Sequence, residues 1–237
     1  MTTGVVIGAT GGIGRACANA LAGSAELTVL CGRRRDALEA VAAEIGGQTA
    51  IVAADLATAG GRDAIVAAID GPLAWVVLAS GVPLRKPLSE VEEEQITATF
   101  AANLLGPTLL LRRFLELPWQ ASATVVVIGS ISATRSLPGR SVYGASKAGL
   151  EHLARSLAAE VTSLGIRVNV VAPGVIDTAF LGEATAALAE WVDVRVPLAR
   201  LGAPEEVAGV VRYLILDAPA YLTGARIAVD GGAETVA

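Results

Sequence analysis

Short, continuously apolar runs alternate with longer segments of helical period along the whole of this 237-residue chain. The runs GVVIG, LTVLCG, TAIVAAD, LAWVVLAS, ATVVVIGS, IRVNVVAPG and RIAVDGG lack the polar alternation of a half-solvated strand. Strands of this kind belong to a parallel sheet covered on both faces. Between them lie segments such as RDALEAVAAEIG and VYGASKAGLEHLARSLAAEVTSLG, each long enough for a crossover helix. The alternation predicts an α/β fold, a doubly wound parallel sheet of about seven strands with helices on both faces.

Composition supplies the core: 53% of residues are hydrophobic and only 17% charged, enough to fill the interior and leave apolar surface for subunit contacts. No linker, repeat or low-complexity tract interrupts the pattern, so residues 1–237 read as a single domain. Ser89 with Glu92 is the expected capping box of the fourth helix, and Pro204 followed by two glutamates opens the last one. The 18 basic and 23 acidic residues give a net charge of -5 without a basic run, which argues against a nucleic-acid partner. The start MTTGVVIGATGGIG is glycine-broken and too short for a signal segment, and QITATFAANLLGPTLLL is interrupted by Asn103, Gly106 and Pro107, so no membrane association is expected. Cys17 and Cys31 show no metal spacing and read as core residues of a cytoplasmic protein, and no metal site is expected.

In open α/β sheets ligands bind outside the carboxyl ends of the strands. The first strand here runs into GATGGIG, with Gly8, Gly11, Gly12 and Gly14 ahead of a helix expected to start near Arg15. Glycines at such a turn let the backbone approach a pyrophosphate and aim the helix N-terminus at it. The spacing fits both G-x-x-x-G-x-G and G-x-x-G-x-x-G. Further on come AADL with Asp55, Asn103 in the fourth helix, Ser130 ending the fifth strand, YGASK with Tyr143 and Lys147, the segment from Pro173 to Thr178, and the closing VDGG. In this order and spacing the chain resembles the short-chain dehydrogenase/reductase family, in its compact single-domain branch of carbonyl and 3-oxoacyl reductases. The resemblance implies a Rossmann-type fold, a nicotinamide cofactor and a catalytic set of Asn103, Ser130, Tyr143 and Lys147. Two departures stand out: Ile7 replaces the family's usual threonine, and Leu78-Ala79-Ser80-Gly81 replaces Asn-Asn-Ala-Gly. They suggest an apolar contact in place of a buried polar pair.

Reduction of a ketone needs a proton for the developing alkoxide. The single histidine, His152, lies inside a helix away from any strand end. Tyr143 is the better donor, although a phenol with a pKa of about 10 has to shift by roughly 3 units, near 4 kcal/mol, to exchange protons at neutral pH. Lys147, one helical turn on, is expected to favour the phenolate, and the resemblance also assigns it the nicotinamide ribose. Ser130 would steady the substrate oxygen, with Ser132 as the weaker alternative. Pro107 deprives the Asn103 carbonyl of its helical donor, and the resemblance gives that carbonyl a water.

For the cofactor, the resemblance implies contacts from the glycine turn, including Thr10 and Ile13, from Asp55 and Leu56 at the adenine, and from Ser80 and Gly81 after the fourth strand. Pro173, Gly174, Ile176 and Thr178 would shape the nicotinamide pocket. An NAD site places an acidic residue at the end of the second strand. Here Gly32 stands there, followed by Arg33 and Arg34, whose guanidinium groups suit a 2'-phosphate. NADP(H) is therefore the expected cofactor, with NAD(H) the alternative. A lid is expected at 179–200, and Phe180, Leu181, Leu188 and Trp191, with Leu84 and Leu137, predict an apolar pocket for an uncharged ketone or secondary alcohol. A homotetramer or homodimer is expected through the fourth and fifth helices. A 3-oxoacyl carrier-protein reductase is the alternative, weakened by PWQASATV and Leu164 where such enzymes offer basic residues. A non-catalytic nicotinamide-binding sensor is the alternative from another class.

Overall fold

The computed structural model describes residues 1–182 and 186–236. The strands β1 (Thr3–Ile7), β2 (Leu27–Gly32), β3 (Gln48–Ala53), β4 (Leu73–Leu78), β5 (Trp119–Ile128), β6 (Arg167–Pro173) and β7 (Arg226–Val229) form one sheet in the order β3-β2-β1-β4-β5-β6-β7. Every pairing is parallel, and the central strands are buried on both faces, as their unbroken apolar runs require, while the edge strands β3 and β7 are only partly covered.

Successive side chains of a strand point to opposite faces, and the two cores divide accordingly. Val5 and Ile7 join one core with Ile65 of α3 (Ala59–Ala67), Phe114 of α5 (Gly106–Phe114) and Leu150 of α6 (Ser141–Val161). Val6 joins the other with Cys17 of α1 (Gly12–Ala20), Leu38 of α2 (Arg35–Ile45) and Val207 of α8 (Pro204–Arg212). Cys31 belongs to the first core and Cys17 to the second, so the sheet separates the two thiols, and burial pushes each up to about 12. Ile7 pairs in register with Leu78 within one core, the apolar contact expected at the first departure.

The region of the fourth helix differs from expectation. It is split into α4 (Glu93–Phe100), a π-helical turn (Ala101–Leu105) and α5, because Pro107 cannot continue the α-helical ladder. The Gly106 N–H reaches the Ala101 carbonyl, and the turn buries Asn103 completely. The capping box also moves: the Gln95 side chain accepts the Glu92 N–H at 3.2 Å at the start of α4, while Ser89 falls in a 3-10 turn, Leu88–Glu90. Pro204 opens α8 as expected, and Glu206 accepts the Ala203 N–H at 2.8 Å. Helix α1 begins at Gly12, inside the glycine turn, rather than near Arg15. In the expected lid, Ala179–Leu181 is a 3-10 turn and α7 spans Ala186–Arg195; residues 183–185 lie outside the described residues. Among the described residues no helix is long and apolar enough to cross a membrane, and none of the His, Cys, Asp and Glu side chains cluster as metal ligands.

Candidate active site

Strand order reverses between β1 and β4, and the carboxyl ends of six strands open there into one cleft of about 1490 Å³. That is room for a dinucleotide and a small substrate together. The glycine turn forms its floor. Gly8 has φ 85° and a Cβ there would stand 2.8 Å from the Ala79 and Ser80 backbone. A Cβ on Gly14 would strike the Gly8 carbonyl, and one on Gly12 the Thr178 side chain. No side chain caps α1, whose first N–H groups are left for an anion. The Ser80 hydroxyl is buried in the cleft wall without a partner among the described residues. This cradle and this orphaned hydroxyl fit a nicotinamide dinucleotide. Thr10, Gly32, Arg33, Arg34, Asp55 and Leu56 line the end of the cleft beyond that turn. Asp55 is engaged locally, accepting the Ala57 N–H at 2.9 Å, while Thr58 rather than Asp55 caps α3. Pro173, Gly174, Ile176 and Thr178 form the opposite wall, and Gly81 lies between the glycine turn and Lys147.

The four expected catalytic residues meet beside β5. Ser130 follows the strand, and Tyr143 and Lys147 sit one turn apart on α6, all three buried. The Ser130 hydroxyl favours the Tyr143 phenolate, and the Arg140 and Arg85 charges act in the same sense. Burial outweighs them and raises the Tyr143 pKa above its ordinary value. The expected lowering by Lys147 is not what the chain alone produces. The Lys147 ammonium turns instead to the Ile128 carbonyl at 3.0 Å, and its complete burial lowers its own pKa to about 8 against the opposing pull of Glu151. The Asn103 side chain accepts the Val82 N–H at 2.7 Å and donates to Ser146 Oγ at 3.1 Å. It thereby pins the loop after β4 to α6. Ser132 contributes its main chain, donating its N–H to Ser130 Oγ at 3.1 Å. His152 is exposed on the outside of α6.

Sequence reasoning missed two groups. Glu151, one turn beyond Lys147, accepts the Ser130 N–H at 2.9 Å and pairs with Arg226 at 2.7 Å. The spacing of Tyr143, Lys147 and Glu151 along one helix face was the available signal. The substrate wall is the other. Phe180, Leu181, Leu188, Trp191 and Leu137 line it as expected, but Leu84 does not, and Arg85, Arg135, Arg140 and Arg195 do.

A family model described as "Enoyl-(Acyl carrier protein) reductase" matches residues 8–234. The chain is 36% identical over 235 residues to Carbonyl reductase family member 4 of Danio rerio, covering 97% of both proteins. It is 35% identical to a 3-oxoacyl-[acyl-carrier-protein] reductase of Synechocystis, covering 96% of this chain and 95% of the other. A crystal structure of "Short-chain dehydrogenase/reductase SDR:Glucose/ribitol dehydrogenase" from Brucella melitensis superposes with a TM-score of 0.91 at 32% identity, over 98% of this chain and 96% of that one. The angucycline C-6 ketoreductase LanV, solved with bound NADP, superposes with a TM-score of 0.91 at 27% identity, over 99% and 96%.

Proposed function

The chain belongs to the short-chain dehydrogenase/reductase family, an oxidoreductase of carbonyl and alcohol groups, and on that premise we propose that it transfers hydride between NADP(H) and a ketone or secondary alcohol, with Tyr143 as the acid/base. The observation that carries this reading is that Ser130, following β5, and Tyr143 of α6 line the same cleft as the glycine turn. When bound, the nicotinamide supplies or accepts the hydride. Ser130 donates to the carbonyl oxygen and fixes its position, and Tyr143 delivers the proton to the same oxygen. Lys147 holds a buried positive charge one turn away that grows more useful as the phenol deprotonates. Asn103 keeps the loop after β4 against α6, and Phe180, Leu181, Leu188 and Trp191 line the substrate side of the cleft.

Arg33 and Arg34, exposed after β2 and paired with no described acidic side chain, support NADP(H) over NAD(H). The buried free thiols support a reducing, cytoplasmic compartment. The exposed Leu105 on the π-helical turn, Leu115 just past α5 and Leu164 in the turn after α6 support a homodimer or homotetramer, and residues 1–237 work as one domain. The test is a panel of ketones and alcohols followed at the nicotinamide absorbance with each cofactor. Turnover that Tyr143→Phe abolishes is expected; a panel without turnover alongside tight cofactor binding would favour the sensor reading.

A further inference from the structure

The Lys86 N–H donates to the Gly139 carbonyl at 2.9 Å, tying the loop after β4 to the loop before α6. Arg85 and Arg140 flank that hydrogen bond and share the cleft with Ser130 and Tyr143. The Arg140 guanidinium carbon lies 5.5 Å from the centroid of the Tyr143 ring. Neither guanidinium has a hydrogen bond or an ion pair with any described residue, whereas the Arg135 side chain is held by the Ala233 carbonyl and Arg195 is engaged as well. Asp55 is the one acidic group among the described residues lining the cleft, and it stands at the far end, past the glycine turn.

The arrangement is unfavourable for an empty wall. The two like charges adjoin, and Arg140 is half-buried at the N-terminus of the 21-residue α6, the positive end of its dipole. Burial and the Arg85 charge together lower the Arg140 pKa. Other exposed arginines outside the cleft find carboxylates, as Arg112 finds Glu116 and Arg200 finds Glu206. A pair without one, beside a proton donor and under a helix N-terminus, is built for an anion that arrives from outside.

We propose that Arg85 and Arg140 bind an anionic group of the substrate, a carboxylate or a phosphate monoester, a few bonds from the reacting carbonyl. This rests on the reading of Tyr143 as the proton donor and narrows the substrate from a ketone to a keto acid or keto phosphate, in place of the uncharged ketone expected from the sequence. The cofactor phosphates lie at the glycine turn and Arg33. The phosphate of an acyl carrier stands a whole pantetheine arm from its carbonyl, too far to sit beside the Tyr143 ring. The short distance from Arg140 to that ring calls for a compact substrate.

The experiment compares charged and neutral partners of equal skeleton: 3-oxobutanoate, 4-oxopentanoate and 5-oxohexanoate each against its methyl ester, and hydroxyacetone phosphate against hydroxyacetone. Both kcat/KM and, by calorimetry on the enzyme loaded with oxidised cofactor, Kd are measured. At least one charged compound should exceed its neutral partner by about tenfold or more, the scale of charge-assisted hydrogen bonds. Whether the keto acids or the phosphate respond identifies the anion. Arg85→Gln and Arg140→Gln should collapse the ratio towards one, Arg140→Lys should retain part of it, and Arg112→Gln on the outer face of α5 should leave it unmoved. A ratio near one for every pair in the parent, or one that neither Gln variant moves, overturns the proposal. If no compound turns over, the Tyr143 reading fails on its own, and the calorimetric ratios still decide the anion site.

Discussion

The Glu151 carboxylate accepts the main-chain N–H of Ser130 at 2.9 Å, so the helix that carries Tyr143 also holds the serine that Tyr143 meets. Its other oxygen pairs with Arg226 at 2.7 Å, and Arg226 reaches Glu234 at the same distance and the Ser130 carbonyl at 3.4 Å. Ser130 is thus clamped through both of its main-chain polar groups, and Gly129 has no Cβ because Glu151 fills that space. The clamp spans β5, α6 and β7.

Removing Arg226 leaves the buried Glu151 carboxylate without its counter-charge. Arg226→Met is expected to lower unfolding stability by about 3 kcal/mol, the scale for breaking a mostly buried pair from one side, and to reduce kcat as Ser130 loosens. Urea denaturation beside steady-state kinetics checks both; a variant as stable as the parent would show the network to be ornamental.

Lys147 makes stability depend on alkaline pH. Its pKa falls from 10.5 to about 8 in the fold, so between those values the unfolded chain binds more protons than the native one. Stability from this group rises with pH across that window, and below it the fold bears the buried charge. The stability of the parent relative to Lys147→Met should therefore increase by about 3 kcal/mol between pH 8 and 10.5. The variant should also lose activity and bind the cofactor more weakly. A pH-independent stability difference would refute the buried titration.

Tyr143→Phe retains the ring against Phe180, 6.1 Å away, and the Arg140 contact, while deleting the hydroxyl. Turnover should fall by about three orders of magnitude or more, within the range for a general acid, with cofactor Kd nearly unchanged. Fluorescence titration and initial rates separate the two; substantial residual kcat assigns the proton to another group.

Cofactor choice should follow Arg33. Arg33→Ser is expected to cut kcat/KM with NADP(H) by about tenfold or more and to leave NAD(H) nearly unchanged, because only the 2'-phosphate loses a partner. Gly32→Asp, Arg33→Ile should then turn preference towards NAD(H), although the new Cβ would stand 3.1 Å from the Thr10 side chain and needs it to yield. A parent that already prefers NAD(H) contradicts this reading.

Leu105, 55% exposed on the π-helical turn, is the side chain to test association with. The parent should sediment as a dimer or tetramer at micromolar concentration, and Leu105→Lys should shift it towards smaller species. A monomeric parent removes the basis of the prediction.

Hydrophobic period and strand-end chemistry are local properties, and they were enough to determine the parallel sheet, its seven strands, the glycine turn and the helix face bearing Tyr143 and Lys147. Pro107 likewise announced a break in the hydrogen-bond ladder at the Asn103 carbonyl, since a missing N–H needs no tertiary contact to act. What that break became, a π-helical turn burying Asn103 against Val82 and Ser146, depended on neighbours distant in sequence. The capping box went to Glu92 and Gln95 because the preceding chain had already closed a 3-10 turn at Ser89. Burial also decided the electrostatics: Tyr143 is raised and Lys147 lowered by the interior they occupy, against the expectation from their spacing alone. Arg85 and Arg140 are far apart along the chain and side by side on the cleft, and Glu151 meets Ser130 only because α6 packs across β5 and β6. Charge and proton affinity are set by what surrounds a group in space, and sequence periodicity reports only what surrounds it along the chain.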